Sequence, residues 1–145
     1  MIRIRIYGTP APQGSKRFVG IQGGKGRMIE SSRKVRPWRQ DVKAAAEAVR
    51  AGRKPLDGPL RVTMVFTLPK PASAPKRRRT WPMRKPDVSK LVRSTEDALT
   101  DAGMWVDDAR VVEYGLVAKR YPNEGHLALE APGAVVLIEE IEEEA

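Results

Sequence analysis

Apolar and polar positions alternate from the first residues of the chain. Ile2, Ile4 and Ile6 fall on one side and Arg3 and Arg5 on the other, the period of two expected of a strand with one face on a core. Pro10 and Pro12, within Gly8 to Gly14, remove ladder donors and end it. Ser15 to Arg36 is basic and Gly-rich, and Phe18-Val19 can pair with Met28-Ile29 as a short hairpin around Gly23 to Gly26. The period then changes. Trp38, Val42, Ala45, Ala46 and Val49 recur at helical spacing; Pro37 suits the first turn and Gly52 can close the end. Leu60 to Leu68 returns to a period of two, with Val62, Met64 and Phe66 on one side, until Pro69 and Pro71 stop it.

A second helix is predicted from Asp87 to Gly103. On a wheel stepping roughly 100° per residue, Val88, Leu91, Val92, Thr95, Ala98, Leu99 and Ala102 fall within one arc. Ser89, Lys90, Arg93, Ser94, Glu96, Asp97 and Asp101 occupy the other side. Such a helix lies on a sheet with one face free. Two further strands are expected at Val111 to Lys119 and Ala134 to Ile138. The order strand, helix, strand, helix, strand, strand predicts a single α/β (α+β) domain, with a mixed sheet and two main helices packed on it. The domain is expected over residues 1–138, with an acidic tail over 139–145.

Composition agrees with one globular domain: 145 residues, 41% hydrophobic. Charge adds more. The net charge is +9 and the pI about 10.2, although five Glu crowd the last seven positions. Such a surface attracts a polyanion, and nucleic acid is the expected partner. The absence of Cys excludes disulfides and thiolate metal sites and fits a reducing cytoplasm. No apolar run approaches the roughly 18 residues needed to cross a bilayer, so no membrane association is expected.

Within this basic chain the carboxylates of Asp87, Asp107 and Asp108 stand out. A protein that only holds DNA gains nothing from clustered Asp, whereas one that cuts DNA needs carboxylates to hold a divalent metal. Asp87 is expected at the start of a helix and Asp107-Asp108 at the start of a strand. If that strand runs under the helix, the carboxylates can meet as ligands for Mg²⁺, a hard cation that prefers oxygen. Lys90 and Arg93 would neutralise charge developing on a phosphate. Taken singly, each has an ordinary reading: Asp87 as a helix cap, Asp107-Asp108 as a turn, and Arg93 with Asp97 as a surface pair.

The basic segments are candidate DNA contacts: Lys16 and Arg17 in the Gly-rich region, and Lys76, Arg77, Arg78 and Arg79 in the Pro-rich connection Pro71 to Met83. That connection reads as exposed and able to await a partner before ordering. Trp81 beside it can stack on a base or pack on the domain; Trp38 reads as a core anchor. Gly23-Gly-Lys-Gly26 lacks the spacing of a phosphate-binding P-loop. The lone His126 carries no signal.

Three pieces of the chain together resemble the RusA family of Holliday junction resolvases, especially its phage and prophage members. Lys85-Pro-Asp-Val-Ser-Lys-Leu-Val-Arg93 is similar to the family's Pro-Asp-x-Asp-Asn/Lys-Leu-x-Lys/Arg motif. Asp97-Ala-Leu99 is followed at the expected distance by Asp107-Asp108-Ala-Arg-Val-Val112. Gly8 to Arg17, with Pro37-Trp-Arg39, is similar to the N-terminal pattern of phage members. The resemblance implies a homodimer with an acidic site near its interface, acting on four-way junctions and making paired nicks with Mg²⁺ or Mn²⁺. It implies that Asp87 and Asp108 are metal ligands, that Asp107 supports the latter, and that Arg93 replaces a catalytic Lys. Lys85 and Lys90, within the motif, are expected to face the DNA.

Two departures matter. Ser89 stands where the family has a second Asp, and a hydroxyl is a weaker Mg²⁺ ligand than a carboxylate. A water can fill that position, Asp97 or Asp107 can compensate, or the chain binds junctions and cuts them poorly. Arg93 keeps its charge but transfers a proton poorly. Two alternatives to a nuclease therefore stay open: a non-catalytic junction- or duplex-binding protein on the same fold, and a basic RNA- or ribosome-associated protein with no enzymatic role, which composition permits and the Asp arrangement opposes.

Overall fold

The computed structural model describes residues 1–13, 17–22, 25–29 and 33–142, with the backbone alone in 17–22 and 25–29. Its main sheet has four strands: β1 (Ile2–Tyr7), β4 (Leu60–Thr67), β5 (Val111–Arg120) and β6 (Gly133–Glu140), in the order β1-β6-β4-β5. The pairings β1–β6 and β6–β4 are antiparallel, whereas β4–β5 is parallel. A parallel neighbour needs a crossover, and α2 (Val88–Asp101) supplies it. The second helix, α1 (Val35–Arg50), lies between the first strands and β4 in sequence. β2 (Arg17–Gln22) and β3 (Lys25–Ile29) form the separate hairpin expected from the sequence.

The period-two patterns explain the sheet. Register places Ile2, Ile138 and Val62 in one row across three strands, Ile4, Val136 and Met64 in the next, and Ile6, Ala134 and Phe66 in the third. All but Ile2 are buried, and Ile2 packs partly on the same core. Each fully buried Ile, Val, Met or Phe among them contributes about 1.5–3 kcal/mol by leaving water. Arg61 projects from β4 and is held by Glu113 of β5 at 2.9 Å and Glu139 of β6 at 3.1 Å. Glu139 and Glu140 thus belong to β6, and that strand runs past the point where the acidic tail is expected to begin.

The helices share the apolar face of the sheet. Trp38, Val42 and Ala46 of α1 and Leu91, Ala98 and Leu99 of α2 join one core. Trp38 is the core anchor its spacing suggests: it is 1% exposed, and its indole N–H donates to Thr95 Oγ1 at 3.2 Å. Both helices stop where expected. Ala51 and Gly52 take positive φ after α1. After α2, Gly103 (φ +75) donates to Thr100 O and Met104 to Leu99 O, the paired bonds of a Schellman turn.

One assignment from the wheel is corrected. Ser94 lies on the buried side of α2, fully inaccessible, because its hydroxyl donates to Ala11 O at 2.7 Å and Leu91 O at 3.1 Å. The segment after β1 lies along this flank, with Gln13 N–H donating to Lys90 O. Periodicity within α2 could not reveal a covering that comes from a remote part of the chain.

Candidate metal and nucleic-acid site

α2 carries the candidate chemistry at both of its ends. Pro86, joined to Lys85 by a cis peptide, leads into Asp87, whose extended backbone (φ -69, ψ 137) makes it the N-cap. Its carbonyl accepts from Lys90 and Leu91, yet its carboxylate makes no capping hydrogen bond. The ordinary reading of Asp87 as a cap therefore covers its backbone and leaves its side chain uncommitted. That side chain is exposed, 3.8 Å from Lys90 Nζ. Lys119 of β5 fixes the approach by donating to Arg84 O at 2.8 Å and Pro86 O at 3.0 Å. Asp87, Lys85 and Lys90 border a hollow of about 460 Å³ walled by prolines and Tyr121. Ser89 and Arg93 follow on the exposed face of α2.

The second acidic group gathers at the other end. Asp107 caps a short 3-10 turn (Asp108–Arg110) ahead of β5 by accepting the Ala109 N–H at 2.8 Å. That bond, and then Asp108, hold the Asp107 carboxyl below the ordinary range. Asp108 goes the other way. Its hydrogen bond with Asp107 raises its pKa first, partial burial second, and the charges of Asp107 and Asp97 add to this. Asp97 and Asp101 of α2 line the same shallow hollow as Asp107 and Asp108, with Arg39 from α1, which pairs with Asp101 at 2.8 Å. Glu96 stands alongside. Burial pushes its pKa up, the Tyr114 hydroxyl donating to it opposes this, and Asp108 and Asp97 push the same way as burial.

Within one chain the structure brings Asp107, Asp108 and Asp97 together and leaves Asp87 apart. Asp108 faces Asp97, ten residues along α2 from Asp87, which is about 15 Å of helix. Among the described residues no three of His, Cys, Asp and Glu converge closely enough to hold an ion. The donors are nonetheless all oxygen, the chemistry Mg²⁺ and Mn²⁺ prefer.

Lys76, Arg77, Arg78 and Arg79 are exposed on the connection after β4. This connection is anchored at Glu124, which binds Lys70 Nζ at 2.8 Å and the Thr80 N–H at 2.8 Å. Lys16 and the side chain of Arg17 lie outside the described residues. Sequence reasoning missed Glu96 with Tyr114, Lys119 and Arg120, because each gains its role from a neighbour on another element. The alternation of β5 was the only available signal for Tyr114.

The family model described as Endodeoxyribonuclease RusA matches residues 8–131. Curated relatives include the crossover junction endodeoxyribonucleases RusA of Enterobacteria phage 82, Escherichia coli K12 and Shigella sonnei. Each is 44% identical over 46 residues, 32% of this chain and 38% of the relative. The match thus spans well under half the length of those relatives. Among the described residues no helix is long and apolar enough to cross a membrane.

Proposed function

Because this chain belongs to the RusA endodeoxyribonuclease family, we propose that it is a divalent-metal-dependent endonuclease that resolves four-way junctions and related branched DNA by paired nicks, acting as a homodimer. The observation that carries this reading is the Asp87 carboxylate, exposed at a helix N-terminus, free of the cap it could have made, and flanked by cations. Asp87 and Asp108 are the proposed metal ligands, with Asp107 beside Asp108. Since one chain keeps them at opposite ends of α2, the site would be completed across a two-fold axis, by Asp87 of one chain and Asp108 of the partner subunit.

A bound ion would polarise the scissile phosphate and acidify an attacking water. The chain's own side chains do the rest. Asp107 keeps its charge through the Ala109 N–H and holds Asp108 in place. Arg93 offers a fixed positive charge to the phosphate and does not exchange protons. Lys85 and Lys90 draw the strand toward Asp87, and the Lys76 to Arg79 run contacts the phosphates of an arm.

The test is incubation with a labelled synthetic four-way junction beside linear duplex, with and without Mg²⁺ or Mn²⁺. Paired, metal-dependent nicks in the junction are expected, and Asp87→Asn and Asp108→Asn should each remove them by more than about a hundredfold while junction binding persists. Full cleavage by both variants would overturn the reading.

Ser89 favours a second reading. It is exposed at the second residue of α2, two positions beyond Asp87, where the family motif has a carboxylate. The chain would then bind junctions tightly and cut them weakly or not at all. Absence of cleavage in either metal, with tight salt-sensitive binding, is its signature.

A further inference from the structure

The least expected arrangement lies away from both acidic groups, where the connection after β4 meets the loop between β5 and β6. Trp81 is 56% exposed, whereas the other tryptophans, Trp38 and Trp105, are each 1% exposed. The Arg79 guanidinium lies 3.8 Å from the centre of the Trp81 ring and that of Arg120 lies 5.5 Å from it. Gly125 (φ +120) makes this crowding possible: a Cβ there would stand 2.5 Å from Arg79 Nη2 and 2.9 Å from Arg120 Nε. The two cations are thus held around one point.

Neither guanidinium forms an ion pair with a carboxylate among the described residues. The nearby Glu124 is taken by Lys70 and the Thr80 N–H. Of the three buried side-chain polar atoms without a hydrogen-bond partner among the described residues, two are here: Arg120 Nε and Thr80 Oγ1. Burial first, and then the charge of Arg79, lower the pKa of Arg120. Arg120 Nη1 donates to Lys119 O at 3.1 Å, and the remaining terminal nitrogens of the two guanidiniums suit an anion with several oxygens, such as a phosphate. An exposed indole beside them suits the flat face of an unpaired base.

We propose that Trp81, Arg79 and Arg120 form a subsite for one unpaired nucleotide of the DNA, with the indole stacking on the base and the two guanidiniums taking its phosphate. The occupant is a single-stranded nucleotide because a base inside a duplex offers no free face to Trp81. This deepens the proposed function and rests on it for the nature of the substrate. A branch point interrupts the base stack, so a nucleotide there is freed at lower cost than one within an arm, and the subsite would contribute to selecting branch points over plain duplex. Gly125 is a positioning residue here.

The experiment measures binding in EDTA, so cleavage does not enter. The probes are a short single-stranded oligonucleotide, a blunt duplex and a four-way junction carrying 2-aminopurine beside the branch. Trp81→Ala and Arg120→Gln should each weaken single-strand binding about tenfold, the scale of one base–aromatic contact, and leave duplex binding unchanged. Trp81→Phe should restore most of the affinity. Bound oligonucleotide should quench tryptophan emission in the wild type and not in Trp81→Phe, since the other two tryptophans are buried. Junction binding should change 2-aminopurine emission in the wild type and much less in Trp81→Ala. Equal loss on single strand and duplex, or no loss, overturns the proposal; circular dichroism of each variant separates misfolding from lost contact. A Trp81-dependent loss on single strands, in a protein that never nicks junctions, would keep the subsite and remove the resolvase reading.

Discussion

Asp87 and Asp108 stand at opposite ends of α2 in one chain, with Asp108 facing Asp97 instead of the helix N-terminus. A homodimer whose sites are each built from both chains makes a sharp prediction. Asp87→Asn and Asp108→Asn proteins, inactive alone, should regain cleavage when unfolded and refolded together. One site of the mixed dimer then holds both carboxylates and the other holds neither. Continued inactivity of the mixture, with mixed dimers shown to form, would place both carboxylates in the same chain's site.

Ser89→Asp adds a carboxylate two residues beyond Asp87. If the hydroxyl limits metal affinity, this variant should reach half-maximal cleavage at an ion concentration lower by about tenfold or more, the scale of a change in a metal site's supporting shell. Titration with Mg²⁺ measures it. An unchanged midpoint would show that Ser89 is not at the ion.

Ser94→Ala removes the hydroxyl that ties Ala11 O to α2. The buried carbonyl loses a donor, which costs about 1–3 kcal/mol. Urea unfolding should show a lower midpoint with an unchanged slope. A variant as stable as the wild type would mean the segment around Ala11 is held by other contacts.

Glu124 titrates below its ordinary value of 4.5 in the folded chain, because of Lys70 first and the Thr80 N–H second. Its contribution to stability is therefore complete above that value and disappears as pH falls through the lower folded value. Glu124→Gln should melt below the wild type at neutral pH, and the gap should close in acid. A gap independent of pH would assign the loss to packing.

Much of the fold was legible because burial on one face imposes a period. Ile2, Ile4 and Ile6, the Val62 to Phe66 set and the apolar arc of α2 all follow this rule. Ser94 broke it because the segment around Ala11 covers a flank that α2's own sequence leaves polar. Of the candidate site, Asp87 was found at the N-cap, but only its hydrogen bonds distinguish a cap from a free carboxylate. Asp107 and Asp108 are adjacent in sequence, yet the Ala109 N–H is what most lowers Asp107, whereas Asp107 itself is what most raises Asp108. Arg120 and Trp81 come together through Gly125, a residue remote from Trp81 in sequence.

The sequence by itself determined which apolar residues face the core, where the helices stop and which family motif the chain carries, since these depend on local periodicity, backbone preference and residue order. The tertiary structure alone decided that β5 runs parallel beside β4, that Asp87 and Asp108 stay apart, and that two arginines crowd one exposed indole. These are relations between distant segments. They are set by how the segments pack around a shared core, which no local period encodes.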